Sequence, residues 1–202
     1  MPYLVKPLPF TRELTGISRK TLDIHHGKLY TGYVNKRNEI EEKLKKSDVA
    51  AANATYSEIG ELKRQETFAA NGVILHEAYF NVLGGNGRPS GPLVERITKD
   101  FDSYESWEAD FKAAGMAARG WVILAYDIND GRLHNYSSDV HNHGGIWGTV
   151  PIVVLDVYEH AYFIDFGADR KSYIEAFMKN LNWEASNKAF HEIICKLAPT
   201  KK

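Results

Sequence analysis

The spacing of apolar residues along the first 83 positions has the period of α-helices. From Ile17 to about Val49 apolar residues recur at roughly helical intervals among many charged ones, without an internal proline. A second run of the same kind extends from about Tyr56 to Leu83. We therefore predict two long helices, which together form an N-terminal helical hairpin.

The helical pattern stops at the segment GGNGRPSGP, residues 84 to 92. Its glycines and prolines sustain neither a helix nor a strand, which predicts a linker. A phosphate-binding loop would need a preceding strand and a following helix with Lys-Ser/Thr, and the sequence predicts neither. We therefore expect an N-terminal domain of residues 1–85, a linker of residues 86–92 and a C-terminal domain of residues 93–202.

The pattern after the linker begins with helices and then changes to strands. Short helices are predicted from Leu93 to Asp100 and from Tyr104 to Ala118, the second capped by Asp102 or Ser103. The segments GWVILAYDI and RLHNYSS then flank an Asn-Asp-Gly turn, residues 129–131, which favours a β-hairpin.

The segment IVVLD, residues 152–156, supplies a third strand, and the pattern from Lys171 to Leu197 is helical again. The predicted fold class is α+β. It comprises an N-terminal helical hairpin domain and a C-terminal domain with a small three-stranded antiparallel sheet and flanking helices.

Composition and charge narrow the possible partners. A chain of 202 residues with 44% hydrophobic residues can bury a sizeable core in one or two compact domains. The net charge of -1 provides no global basic field, so we expect neither a nucleic-acid nor a membrane partner. A single cysteine, Cys195, excludes an intrachain disulfide and fits a reducing compartment, and no signal or membrane-spanning pattern is found. We expect a cytoplasmic protein.

Side chains of the kinds that bind metal ions occur in the apolar part of each major element. His25 lies in the apolar stripe of the first helix, and His76 lies in GVILHEAYF of the second. Asp156 and His160 follow the third strand within the apolar stretch PIVVLDVYEHAYF. A single such histidine is usually a core residue, but burying an ionisable pair costs several kcal/mol unless it is paired or bound to a metal. Three imidazoles and one carboxylate suit iron, manganese or zinc.

The order of these groups, with their neighbours, resembles the iron/manganese superoxide dismutase family over almost the whole chain. The family's hallmark Asp-x-Trp-Glu-His-Ala-Tyr stands here as DVYEHAY, from Asp156 to Tyr162. It is supported by HH at His25 with Tyr33 eight residues later, by RGW ending at Trp121, and by NLNW ending at Trp183.

The resemblance implies an oxidoreductase that converts superoxide to dioxygen and hydrogen peroxide by redox cycling of one ion per subunit. The iron or manganese ligands that it implies are His25, His76, Asp156 and His160. It also implies a homodimer or homotetramer, in which Glu159 crosses the dimer interface to the partner subunit's His160.

The resemblance also implies the surroundings of the ion. Tyr33 stands at the mouth of the substrate funnel, and Trp121 and Phe80 wall the site. Lys28 and Arg170 are candidates for local positive charge that attracts the superoxide anion, and the alternative for both is an ordinary surface role.

The choice of metal depends in this family on a residue that hydrogen-bonds the metal-bound solvent. In some members this residue stands four positions before the second ligand, here His76, and in others it stands fifteen positions before the aspartate, here Asp156. These two positions are Gly72 and His141 in this chain. This pair resembles archaeal and some actinobacterial members, which include iron and metal-tolerant enzymes, so we expect iron rather than manganese. An alternative is that His141 and His143, which share a strand face, form a separate surface metal pair.

Three positions depart from the family pattern. In the family, a histidine and a tyrosine meet across the dimer interface. The residues at the corresponding positions of this chain are Leu29 and Phe163. Both polar partners are absent together, which favours an apolar contact in place of a hydrogen bond, because losing one alone leaves a buried polar group unpaired. Tyr158 replaces the tryptophan of the hallmark and adds a hydroxyl.

Two other classes of protein fit these residues less well. A structural protein with a disused metal site does not require the four ligands together with Glu159, Tyr33 and Trp121. A non-haem iron oxygenase typically uses two histidines and one carboxylate, whereas this set has three histidines in a crowded apolar surround.

Overall fold

The computed structural model describes residues 1–197 of the chain. The first predicted helix is present as three consecutive segments: α1 (Arg19–Ile24), a π-helical turn (His25–Tyr30) and α2 (Thr31–Leu44). The Ser18 side chain accepts a hydrogen bond from the Thr21 N–H and so caps the start of α1. The helix ends five residues before the predicted Val49, which instead begins a 3-10 turn (Val49–Ala51).

Helix α3 (Glu58–Asn81) packs antiparallel on α2 and completes the hairpin. Its start is fixed by Ser57, which is buried and accepts a hydrogen bond from the Gly60 N–H at 3.2 Å. The prediction of an N-terminal helical hairpin is confirmed.

The next elements are α4 (Pro92–Phe101), α5 (Tyr104–Ala117), β1 (Trp121–Asp127), β2 (Arg132–Ser138) and β3 (Thr149–Asp156). The three strands form the predicted antiparallel sheet, and their order in it is β2-β1-β3. Helix α5 is capped by Ser103 rather than Asp102, because the Ser103 side chain accepts from the Ser106 N–H. The third strand begins three residues earlier than the predicted Ile152.

The final elements are a 3-10 turn (Glu159–Ala161), α6 (Phe163–Phe166), α7 (Arg170–Lys179) and α8 (Trp183–Leu197). The stretch predicted as helical from Lys171 to Leu197 is therefore present as two helices, with a break at residues 180–182. Backbone groups there pair with other segments: the Asn180 carbonyl accepts from Gly85 N–H, and Asn182 N–H donates to the Val82 carbonyl. The sequence pattern does not reveal these long-range bonds.

The segment after α3 packs closely against this break. A Cβ atom at Gly85 would lie 2.2 Å from the Leu181 carbonyl oxygen, so only glycine fits there. The apolar core is continuous from the helical hairpin to the sheet, because α3 packs against β3. No helix within residues 1–197 is both long and apolar enough to cross a membrane.

Candidate metal centre

Four different elements bring His25, His76, Asp156 and His160 together. His25 opens the π-helical turn, His76 lies in the last two turns of α3, and Asp156 ends β3. His160 lies in the 3-10 turn that follows, and one ligand atom from each of the four lies within 4.8 Å of the others. A π-helical turn inside an α-helix is frequent at functional sites, and here it contains the first of these side chains.

The three imidazoles converge on a single carboxylate oxygen. Asp156 Oδ2 lies 3.1 Å from His25 Nε2, 3.2 Å from His160 Nε2 and 3.8 Å from His76 Nε2. The side chains of His25, His76 and Asp156 are fully buried, whereas 28% of the His160 side chain is exposed. Of these four side chains, only that of His160 is therefore in contact with solvent.

The donor atoms of this cluster fit a metal cation. His76 Nδ1 lies 2.6 Å from the Gly72 carbonyl, to which it donates, so the lone pair of the neutral ring is on Nε2. This Nε2 is buried and has no hydrogen-bond partner among residues 1–197. A metal-bound histidine typically donates its other ring N–H to a carbonyl or carboxylate, as His76 does.

The electrostatics of the cluster also favour a cation. Burial lowers the pKa of His25 and lowers that of His76 to about 3, so both rings are neutral near pH 7. Burial raises the pKa of Asp156, but hydrogen bonds from His160 and His25 more than offset this and hold it below its usual range. The Asp156 carboxylate and the neutral rings of His25 and His76 are in the forms that bind a metal.

Two tyrosines that the sequence reasoning did not place at the site hold the Asp156 backbone. The Tyr173 hydroxyl donates to the Asp156 carbonyl at 2.7 Å and lies 3.2 Å from the Tyr79 hydroxyl. Both tyrosines are fully buried, and the Tyr79 ring lies 5.0 Å from that of His25. Tyr173 belongs to an R-x-x-Y motif with Arg170 that also resembles the family, whereas the apolar helical run around Tyr79 equally fits an ordinary core residue.

His141 and Trp121 form one wall of the centre. The Trp121 indole N–H donates to His141 Nδ1 at 3.0 Å. The His76 ring lies 5.0 Å from the Trp121 ring and 5.8 Å from the His141 ring. His141 is buried, and burial lowers its pKa to about 4. This position does not fit the alternative of a surface metal pair with His143.

Gly72 makes room for Tyr33. A Cβ atom at position 72 would lie 2.8 Å from Cδ1 of the Tyr33 ring, closer than side-chain atoms pack. The Tyr33 ring lies 4.6 Å from that of His141, at right angles to it. Burial raises the pKa of the Tyr33 hydroxyl, which therefore keeps its proton at neutral pH.

Phe80 and Tyr158 complete the aromatic surround. The Phe80 ring lies 5.1 Å from that of His25, and the Tyr158 ring stacks on His160 at 5.3 Å. The hydroxyl of Tyr158, which the tryptophan of the family hallmark lacks, lies 3.4 Å from the Asp139 carbonyl, in the segment that carries His141.

Glu159 and Arg170 lie outside the buried cluster. Together with His160 they line an open surface cavity, and Glu159 is exposed. The Arg170 guanidinium donates to the Ala118 carbonyl at 2.8 Å, at the end of α5. Lys28 is exposed on the π-helical turn.

A second group of potential ligands lies on the β1–β2 hairpin. Asp127, Asp130 and His134 place one ligand atom each within 4.8 Å of one another. Asp127 accepts from the Tyr136 hydroxyl and from Asn129, and Asp130 accepts from the Arg132 N–H. The Asp130 carboxylate also bonds His134 at 2.8 Å, so protein hydrogen bonds already satisfy this group.

A largely buried set of three imidazoles and one carboxylate, shared by a helical hairpin and a small sheet, is compatible with a mononuclear metal site in a protein of the α+β class. The model of the iron/manganese superoxide dismutase alpha-hairpin domain matches residues 3–84. The model of the C-terminal domain of the same dismutases matches residues 89–189.

Individual relatives carry the same family name. A superoxide dismutase [Fe] from Aquifex pyrophilus is 45% identical over 186 residues, which cover 90% of this chain and 87% of the relative. A superoxide dismutase [Fe] from Cupriavidus metallidurans is 41% identical, with 94% and 97% covered. A superoxide dismutase [Mn] 1 from Halobacterium salinarum is 37% identical, with 94% and 96% covered. The chain belongs to the iron/manganese superoxide dismutase family, as its resemblance to that family predicted.

Proposed function

We propose that His25, His76, Asp156 and His160 hold the one iron or manganese ion with which this chain dismutates superoxide. The observation that carries the proposal is the convergence of three Nε2 atoms on Asp156 Oδ2, at 3.1, 3.2 and 3.8 Å. The unsatisfied, buried Nε2 of His76 supports it, because a buried polar atom without a partner is costly.

The bound ion supplies one-electron oxidation of one superoxide and one-electron reduction of a second, which takes up two protons as hydrogen peroxide. The protein holds the four ligands and controls hydrogen bonding around them. Tyr33 keeps its hydroxyl proton and is available to donate a hydrogen bond at the substrate entrance. His141 provides a second polar group there, and Trp121 and Phe80 exclude bulk water from the ligands.

We propose iron as the working metal. Gly72 offers no polar side chain at one of the two outer positions, and His141 occupies the other. The relatives at 45% and 41% identity are iron enzymes, whereas the one at 37% is a manganese enzyme. These features support iron without excluding activity with manganese.

We further propose a homodimer, itself able to pair into a homotetramer, that covers the exposed part of the His160 side chain. Phe163 and Ile164 are 55% and 43% exposed next to Glu159, so an apolar strip with one carboxylate is available for a second copy. In such a dimer Glu159 reaches the partner subunit's His160, and Leu29 meets Phe163. Gel filtration tests this assembly, and a monomer would contradict it.

The single cysteine and the near-neutral net charge support a cytoplasmic protein without nucleic-acid or membrane partners. The proposed activity is tested by reconstituting the metal-free protein separately with iron and with manganese. Metal per chain and superoxide consumption are measured on the same samples. We expect about one ion per chain in each case and the higher rate with iron. Stoichiometric metal without superoxide consumption would overturn the proposal.

A further inference from the structure

A polar cavity lies on the surface where three parts of the chain meet. Its volume is about 420 Å³. Arg12 of the N-terminal segment lines it, together with residues 84–90 of the segment after α3 and residues 182–184 at the start of α8. None of the four proposed metal ligands lines this cavity, so it is separate from the metal centre.

The walls of the cavity are fixed to one another. A Cβ atom at Gly84 would lie 2.6 Å from Cβ of Phe10, so the segment after α3 packs closely on the N-terminal segment. The Asn180 side chain accepts from the Thr15 N–H and donates to the Thr15 carbonyl, both at 2.8 Å. The cavity is therefore preformed, which lowers the entropic cost of binding a ligand there.

The two arginines of this cavity differ from the other arginines of the chain. Of the nine in the sequence, seven donate to or pair with a protein oxygen atom, namely Arg19, Arg37, Arg64, Arg96, Arg119, Arg132 and Arg170. Arg12 and Arg88 have no such partner within residues 1–197, and both are exposed on the cavity wall. A guanidinium group presents a fork of N–H donors that matches the oxygen atoms of a phosphate or carboxylate.

The start of α8 adds N–H groups that lack acceptors. The Asn182 side chain accepts from the Ala185 N–H at 3.1 Å, whereas the backbone N–H groups of Trp183 and Glu184, in the first turn, have no acceptor inside the helix. The Trp183 side chain lines the cavity and is 3% exposed, and its buried indole Nε1 has no hydrogen-bond partner in the described part of the chain. Unpaired N–H groups at the positive end of a helix favour an anion rich in oxygen atoms.

The glycines of the segment do not form a phosphate-binding loop. The N–H groups of Gly85 and Gly87 donate to the carbonyls of Asn180 and Leu181, so they are not available to an anion. Side chains therefore have to provide the binding charge. Glu184 is the one acidic residue among those that line the cavity, and it offsets one of the two arginines.

We propose that this cavity binds the phosphate group of a small molecule through Arg12, Arg88 and the first turn of α8. A phosphate group carries more charge and more acceptor oxygens than a carboxylate, and it can accept from donors on several segments at once. The phosphate is either the free anion or a phosphate ester, and the experiment distinguishes these two sources.

The test is isothermal titration calorimetry of the metal-loaded protein with inorganic phosphate and, separately, with adenosine monophosphate. We expect a dissociation constant of about 1 mM or lower for at least one of them. Arg12→Gln and Arg88→Gln should each weaken binding about tenfold, because hydrogen bonds between charged groups are the stronger class. Glu184→Gln should tighten it about threefold, because a competing negative charge is removed.

The matched control is Arg64→Gln. It removes the same charge from an exposed part of α3, where Arg64 pairs with Glu61 at 3.0 Å, and should change the affinity less than about twofold. The variants should keep the metal content and superoxide consumption of the wild type, since none of these side chains contacts the metal centre. Tighter binding of adenosine monophosphate identifies a phosphate ester as the ligand, and tighter binding of inorganic phosphate identifies the free anion; both support the proposal.

Three results would overturn this inference. The first is the absence of binding of either compound up to about 10 mM. The second is an affinity that Arg12→Gln and Arg88→Gln leave unchanged, because the anion would then bind elsewhere, the metal centre included. The third is an equal loss in Arg64→Gln, which would indicate attraction by net charge alone.

Discussion

Gly72 is the residue whose size most directly limits the position of Tyr33. We expect Gly72→Ala to lower kcat/KM for superoxide about 10- to 100-fold while metal content stays unchanged, because the added Cβ displaces the Tyr33 ring. The matched control is Gly32→Ala, where a Cβ meets nothing within 4 Å on an exposed part of α2. Equal effects of the two substitutions, measured by steady-state superoxide consumption, would contradict this explanation.

The Tyr173 hydroxyl holds the backbone beneath a ligand. Tyr173→Phe leaves the buried Asp156 carbonyl and Tyr79 hydroxyl without this bond and should lower the free energy of unfolding by about 1–3 kcal/mol. Urea denaturation measures the loss. The control is Tyr126→Phe, which removes a hydroxyl that makes no hydrogen bond within residues 1–197. If Tyr126→Phe lowered the free energy of unfolding as much as Tyr173→Phe does, the prediction would be refuted.

Among individual residues, the sequence predicted the candidate ligands, but it did not predict the side chains that hold those ligands in position. His25, His76, Asp156 and His160 stand out because charged or polar groups are rare in apolar stretches, and the family hallmark contains two of them. The bonds of Tyr173 to Asp156 and of Trp121 to His141 join residues 17 and 20 positions apart through packing. No local spacing predicts such contacts.

Helix α3 carries His76, and its first turn depends on Ser57. The Ser57 hydroxyl accepts from the N–H groups of Gly60 and Asn53 and donates to the Asn53 carbonyl. Ser57→Ala should therefore cost about 1–2 kcal/mol of stability, read from thermal or urea unfolding. Thr55→Ala, at an exposed position of the same loop, serves as the control. A stable Ser57→Ala protein would argue against this role of the cap.

The types and order of the elements followed from periodicity, but their interruptions did not. The long first helix contains a π-helical turn at His25–Tyr30, and apolar spacing does not distinguish that turn from α-helix. The break between α7 and α8 arises because Asn180 and Asn182 pair with the segment after α3 and with Val82. Local pattern specifies an element, whereas distant backbone partners decide where it stops.

On the scale of the whole molecule, the proposed ligands tie the helical hairpin to the sheet. His25 and His76 come from the first half of the chain, and Asp156 and His160 come from the second. A metal that binds only the folded state stabilises it, by about 4 kcal/mol when its free concentration is 1,000 times Kd. We expect chelation to lower the melting temperature by roughly 10 °C and re-addition of iron to restore it. If calorimetry showed the same melting temperature with and without the metal, the proposed stabilisation by the metal would be contradicted.

The proposed function requires that His25, His76, Asp156 and His160 hold the catalytic ion, and that the group of Asp127, Asp130 and His134 does not. The most direct test measures metal per chain and superoxide consumption in wild type, Asp156→Asn and Asp130→Ala, with circular dichroism as the check on folding. We predict about one iron or manganese ion and full activity in wild type and Asp130→Ala, and loss of both in Asp156→Asn. Retention of metal and activity in Asp156→Asn, or their loss in Asp130→Ala, would contradict the claim.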